Sequence, residues 1–327
     1  MWSNLLAARA QMGTSLAFHI IFSALGVGIP LLLCISEGLA LKTKNVVWMQ
    51  LTRRWARAAA VLFAIGAVSG TIISFELGLL WPTYTKFAGQ VVGLPFLLEG
   101  FAFFVEAIFL GLYLYGWNRL SPRIHWLCSF PIWISGMLSA WFIISANSWM
   151  NTPAGFVIRN GQITDVNPWQ AIFNPSMPYE TIHMLLACFV VTSFVVAGVY
   201  AFAFLRGKRG EYYQKGLFLA LLIALIATPL QIFSGDLNAR FLAQAQPIKF
   251  AAMEGDFHTE NGPPLRIGGI ADPQTGQVYY ALEIPQGESL LLYLSLNGHV
   301  RGLDAFATQD WPNAIPYVHL SFDTMVG

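Results

Sequence analysis

Six stretches of about 20 or more consecutive, mostly apolar residues run through the chain, at 13–39, 57–81, 93–117, 126–148, 180–205 and 216–237. Each is long enough to cross the hydrocarbon core of a bilayer. A segment in lipid has no water to satisfy its backbone N–H and C=O groups, so it takes a form that pairs them internally. The expected fold is an all-α integral membrane helical bundle with six complete transmembrane helices and the start of a seventh. That seventh stretch begins at Pro316, and its 12 residues to Gly327 would rise only about 18 Å as helix against a core of about 30 Å. The chain is therefore read as a fragment of a longer protein, truncated in mid-helix; the alternative is a half-inserted end capped by a partner. The first stretch exceeds the roughly 7–15 apolar residues of a secretory signal, and it is read as a helix that stays.

Composition supports the membrane reading. Of 327 residues, 56% are hydrophobic and 11% charged, where a soluble domain carries roughly a quarter charged. A formal net charge of +1 gives no electrostatic footprint for nucleic acid, and none is expected as a partner. Cys34, Cys128 and Cys188 are scattered without a CxxC pair, so they read as small buried hydrophobes, not as a disulfide or zinc framework.

Basic residues set the expected orientation. The connections 40–57, 118–125 and 206–215 hold eleven Lys and Arg, whereas 82–92 and 149–179 hold only Lys86 and Arg159. The first set faces the cytoplasm, and the N-terminus is expected outside. Three segments follow: transmembrane helices over 1–237, an extracytoplasmic loop over 238–315, and the start of a further helix over 316–327. The loop is rich in Gly and Pro. It reads as extramembrane chain with local structure, and "GQVYYALEI" within it as a short hairpin strand.

Ionisable groups at membrane depth are costly and mark function by default. His19, Glu76, Glu99, Glu106 and His183 lie in the apolar stretches, and Met325 opens the last one. Under the expected orientation they gather in one layer near the outer face. Glu99 and Glu106 are seven residues apart, close to two helical turns, and so share a face. Imidazole and thioether are axial ligands of haem iron, so this set fits haem binding; a proton or ion pathway fits it as well. No CxxCH occurs, which excludes covalent c-type attachment.

Several motifs together resemble one family. They are His19 in the first stretch, "EGFAFFVE" at 99–106, "GWNRL" at 116–120, "LSAWFIISANSWMNTP" at 138–153, His183, "QPIKFAAMEG" at 246–255 and "FDTMV" at 322–326. The chain resembles, over its whole length, subunit I of the cytochrome bd-type quinol oxidases, bacterial terminal oxidases, in the short quinol-loop form. The resemblance implies three haems: b558, b595 and d, or a haem b in place of d. His183 and Met325 resemble the axial ligands of haem b558, and His19 that of the high-spin haem b595. Glu99 and Glu106 resemble the acids on the proton route to oxygen. Lys249 and Glu254 fall in the quinol-binding loop.

The resemblance further implies oxidation of quinol outside and reduction of oxygen to water, with charge translocated because the reduction protons come from the cytoplasm. The implied location is the bacterial cytoplasmic (inner) membrane, multi-pass in its lipid. The implied partners are subunit II, a small single-helix subunit, quinol and oxygen. Two departures stand out. Asp323 occupies a position where the family commonly has arginine, and the family's two further helices lie beyond Gly327. Rival readings are a proton- or ion-coupled transporter and a non-catalytic haem b electron-transfer subunit.

Overall fold

The computed structural model describes residues 4–312 and 314–326, with side chains through 320. Its helices are α1 (Asn4–Thr43), α2 (Val46–Leu80), α3 (Pro82–Tyr115), α4 (Pro122–Leu127), α5 (Ser129–Asn151), α6 (Pro168–Ile172), α7 (Met177–Leu205), α8 (Glu211–Ala245), α9 (Pro247–Glu254), α10 (Gly287–Tyr293) and α11 (Ile315–Val326). Six of the helical spans are long and apolar enough to cross a membrane, that of α5 being continuous with α4.

The apolar stretches are the middles of longer helices, which corrects two expected loops. Residues 40–57 are almost wholly helical: the chain turns only at Lys44 and Asn45, and Arg53, Arg54 and Arg57 stand on the first turns of α2. Asn45 caps α2 by accepting from the Val47 N–H at 2.8 Å, which supplies one of the bonds a helix start lacks. Residues 82–92 belong to α3, opened by Pro82, whose missing N–H costs nothing at a first turn. Hydropathy reports where lipid lies, and these helices continue past it. The other long connection, 152–176, holds the antiparallel pair β1 (Val157–Arg159) and β2 (Gln162–Thr164), and then α6.

The chain divides into two compact units, one up to Gln231 and one from Ile232. In the first, α1, α2, α3, α5 and α7 pack as a bundle together with the start of α8. Its largest core lies at the Lys44 end. There Leu32 and Leu33 of α1, Leu51 and Trp55 of α2, Tyr113 of α3, Ile132 of α5 and Tyr200 of α7 are all buried together. Trp55 donates its indole N–H to the Tyr200 hydroxyl at 3.1 Å. Gly28 lets α1 and α7 touch: a side chain there would collide with Thr192 and the Cys188 carbonyl. The opposite faces carry exposed Val61, Val68, Phe75 and Leu79 on α2 and Leu97, Phe101 and Phe104 on α3, as lipid-facing helices do.

The second unit holds the end of α8, then α9, α10, α11 and three small antiparallel ladders. These pair β3 (Glu260–Asn261) with β8 (His299–Val300), β4 (Leu265–Ile267) with β7 (Leu282–Ile284), and β5 (Ile270–Asp272) with β6 (Gln277–Tyr279). The stretch expected as one strand over "GQVYYALEI" is instead β6 and β7, broken at Tyr280, whose φ is +63°, so its halves pair with different partners. The segment has a core of its own, of Ala251, Ala252, Phe257, Ala271, Leu303 and Ile315. His319 of α11, fully buried, donates from Nδ1 to the Met253 carbonyl at 2.6 Å and ties α11 to α9.

Candidate functional site

On α1, residues 11, 15 and 19 are spaced by four and so share a face, here turned to α2. Gln11 and Ser15 donate to Glu76 Oε1 at 3.0 and 2.8 Å. His19 Nδ1 lies 2.8 Å from Ser69 Oγ. The Ser69 hydroxyl is also 2.8 Å from the Ile65 carbonyl and 3.2 Å from that of Gly66; with its proton on the backbone, it accepts from His19 Nδ1–H. That tautomer leaves Nε2 with its lone pair, as in a metal-ligating imidazole. On the Ser69 side, an open groove of about 610 Å³ lies between α1 and α2, lined by Thr14, Ser15, Phe18, Ile65, Val68 and Ser69; His19 does not line it.

Glu99 and Glu106 both turn to α5. Ser139 donates to Glu99 Oε1 at 3.3 Å. Glu106 is buried against Gly136, where an added Cβ would sit 3.3 Å from its Oε2; glycine leaves the carboxyl its place. His183 of α7 meets Gln231 of α8, whose amide nitrogen is 3.0 Å from Nε2 and 3.3 Å from Nδ1. One packing layer links these positions: Ala24 and Val27 of α1, Met137 and Ala140 of α5, and Met184 and Cys188 of α7 cluster together. That brings Glu99, with its partner Ser139, and His183 to similar depth, with His19 about one and a half turns away along α1. Each is held by a different neighbouring helix. Met325 and Asp323 lie outside the described side chains.

In the second unit, Lys249 is exposed while Glu254 is buried, 6% accessible. Five residues on a helix is about 140° of rotation, so the two look out from different faces of α9. Gly255, with φ +76°, ends α9 in the left-handed conformation, and the Asp256 N–H returns to the Ala251 carbonyl at 2.8 Å. This carries Asp256 inward, where Arg266 Nη1 donates to its Oδ1 at 2.7 Å. Arg266 also reaches Glu283 at 3.3 Å and Glu260 at 3.7 Å. Glu288 of α10 is buried alongside.

Sequence reasoning missed Ser69, Ser139, Gln231 and Glu288, polar residues that acquire meaning only when helices or ladders meet. It also passed over Glu37, although an acid inside the first apolar stretch was a visible signal. Buried at the Lys44 end, Glu37 bonds His125 Nδ1 and the Tyr113 hydroxyl, both at 2.6 Å.

The family model for cytochrome bd terminal oxidase subunit I matches residues 7–327. The chain belongs to that family. It is 40% identical over 99% of its length, and 74% of the relative's, to a putative cytochrome bd menaquinol oxidase subunit I of Bacillus subtilis. It is 31% identical over 99% of its length to a cytochrome bd ubiquinol oxidase subunit 1 of the same organism, spanning 72% of it. Against the cytochrome bd-II ubiquinol oxidase subunit 1 of Escherichia coli it is 29% identical over 95% of its length and spans 62% of that protein. The bd oxidase structure from Geobacillus thermodenitrificans superposes with a TM-score of 0.93 at 38% identity, over 99% of this chain and 74% of that one. The chain is thus a terminal oxidase subunit, an oxidoreductase, built as a multi-pass bundle of the bacterial inner membrane.

Haem is the cofactor this family implies. Among the described residues no three His, Cys, Asp or Glu side chains converge on a bare metal ion. Haem iron needs only axial ligands, because the macrocycle supplies the other four. His19 fits: its Nδ1 is paired with Ser69, which leaves Nε2 for a ligand. His183 fits once the Gln231 amide turns away from its nitrogen edge.

Proposed function

We propose that the chain is the quinol-oxidising, haem-carrying subunit I of a quinol:oxygen oxidoreductase, working with a subunit II and, further, a small single-helix subunit. The observation that carries the quinol half is Glu254. It is a carboxyl buried on α9 within the "QPIKFAAMEG" motif, in a family whose relatives are named for menaquinol and ubiquinol oxidation. Orientation follows the basic residues, with the N-terminus and the loop unit extracytoplasmic.

Quinol oxidation releases two protons with its two electrons. Glu254 takes a hydroxyl proton as general base, and the Lys249 ammonium, on another face of α9, binds the far side of the quinol. His183 and Met325 would hold haem b558, and His19 the high-spin haem b595; a haem d, or a b in its place, completes the set. When bound, the haems supply one-electron transfer and the site of oxygen reduction. On α3, Glu99 and Glu106 hold and pass the protons that oxygen consumes. Drawing those protons from the cytoplasm while releasing quinol protons outside translocates charge.

Glu254→Gln in the full oxidase tests the quinol half. Quinol-driven oxygen uptake should fall by about two orders of magnitude or more, the usual worth of a positioned general base, with every haem band intact. Haem loss would reassign Glu254 to structure, and wild-type rates at limiting and saturating quinol would remove it from the reaction.

A further inference from the structure

The loop unit buries more carboxyls than quinol deprotonation at Glu254 uses. Glu254, Asp256 and Glu288 are 6%, 3% and 2% accessible. They come from the end of α9, the turn after it, and α10. Arg266 of β4 satisfies Asp256 Oδ1 at 2.7 Å. Asp256 Oδ2 and both Glu288 oxygens meet no donor among the described residues. What Glu288 meets is the Asp256 carboxyl, with Glu254 close enough to act on it.

Two buried carboxyls face to face without a donor are stable only if one proton lies between them. That proton is the missing donor. Asp256 keeps the charge because Arg266 is bonded to it, and Glu288 keeps the hydrogen. The charged groups acting on the pair are Glu254 from α9, Glu260 from β3 and Arg266 from β4. Arg266 in turn bonds Glu283 on β7 and lies 3.7 Å from Glu260, both half-exposed at the surface. The arrangement runs from a buried base to a carboxyl pair sharing one proton, with carboxylates in water beyond; Arg266 keeps its own proton and holds the charge on Asp256.

We propose that the Asp256–Glu288 pair is the proton exit of the quinol site, taking the proton that Glu254 receives and passing it to the surface carboxylates Glu260 and Glu283. Glu288 passes its proton to the Asp256 carboxylate and takes the one on Glu254; Asp256 then releases its proton toward Glu260, and the pair is back to one proton. Protons only are moved, one for each that quinol yields, and no bond to carbon changes. The proposal rests on Glu254 being the base of the quinol reaction. In it Glu288 is a relay residue that never touches quinol.

The test uses the purified full oxidase, with Glu288→Gln, Glu288→Asp and Glu254→Gln measured side by side by quinol-driven oxygen uptake from pH 5.5 to 9. Glu288→Gln keeps the volume and a hydrogen bond to Asp256 but cannot carry the proton. Its kcat should fall roughly tenfold or more, with KM for quinol and all haem bands unchanged and the pH profile altered. Glu288→Asp should restore most of the rate. Wild-type kcat and pH profile in Glu288→Gln, haem loss, or equal slowing in Glu288→Asp would each overturn the relay. If Glu254→Gln is also at wild-type rate, the quinol reading itself fails; if Glu254→Gln alone is slow, only the relay does.

Discussion

Ser69 decides more about His19 than the histidine's own position does. With its proton on a backbone carbonyl it accepts from His19 Nδ1, the tautomer that leaves Nε2 for a ligand. Ser69→Ala should loosen that presentation. Outer-shell partners are worth about 10–100-fold in metal affinity, so the variant should purify with sub-stoichiometric high-spin haem, read by a pyridine haemochrome assay, while His183-dependent bands persist. Conversely, His183→Ala should remove the low-spin alpha band of the reduced spectrum and leave the high-spin signals; an unchanged band would end the assignment. The ligand candidates were legible because a histidine in an apolar run is conspicuous. Ser69 and Gln231 were not, since a serine or glutamine in a helix has many uses and only the meeting of α1 with α2, or of α7 with α8, selects one.

At the scale of elements, α3 carries its two acids to a single neighbour. The seven-residue spacing fixed that they share a face; only packing could say that the face looks at α5, with Ser139 and Gly136 opposite. Glu106→Gln keeps the shape against Gly136 but holds no transferable carboxyl proton. Reduction of the haems by quinol should stay fast, while the later steps of oxygen reduction slow by about one or more orders of magnitude, measured by flow-flash kinetics. Wild-type rates at every oxygen step would make Glu106 structural. The α1–α7 crossing is the complementary case. Gly28→Ala must push against Thr192, and overpacking of this kind costs about 1–3 kcal/mol, to be read as a lower midpoint of thermal unfolding in detergent. The loop unit was the least legible element. Gly- and Pro-rich sequence reads as loop, whereas its ladders depend on pairings across up to 39 residues, as between β3 and β8, which local pattern does not encode. Burial, and then the neighbouring Asp256 carboxyl, push the Glu288 carboxyl far up. Its protonated form is therefore the one that the folded unit favours. That contribution is full below the ordinary carboxyl range and declines as pH rises through neutrality. Hydrogen exchange in α10 should be slower at pH 5.5 than at pH 8.5, after correction for intrinsic rates, and Glu288→Gln should flatten the difference.

At the scale of the whole chain, the helical bundle is unequal along its length. The Lys44 end is filled by large interlocking side chains, and Glu37, Tyr113 and His125 bond one another within it. The other half holds the groove beside Ser69 and the layer that brings Glu99 and His183 to similar depth. A bundle so divided has a birth order. The sealed end needs nothing but its own side chains, so it consolidates during membrane insertion. If the haems sit where His19 and His183 are proposed to hold them, the other half should be the last part to set. Haem-starved cells should therefore accumulate a half-closed precursor. In it a membrane-permeant maleimide would spare Cys34 and Cys128, buried near the sealed end, and reach Cys188, which packs in the histidine layer against Ala24 and Val27. Equal protection of all three thiols without haem would mean that the two halves set together.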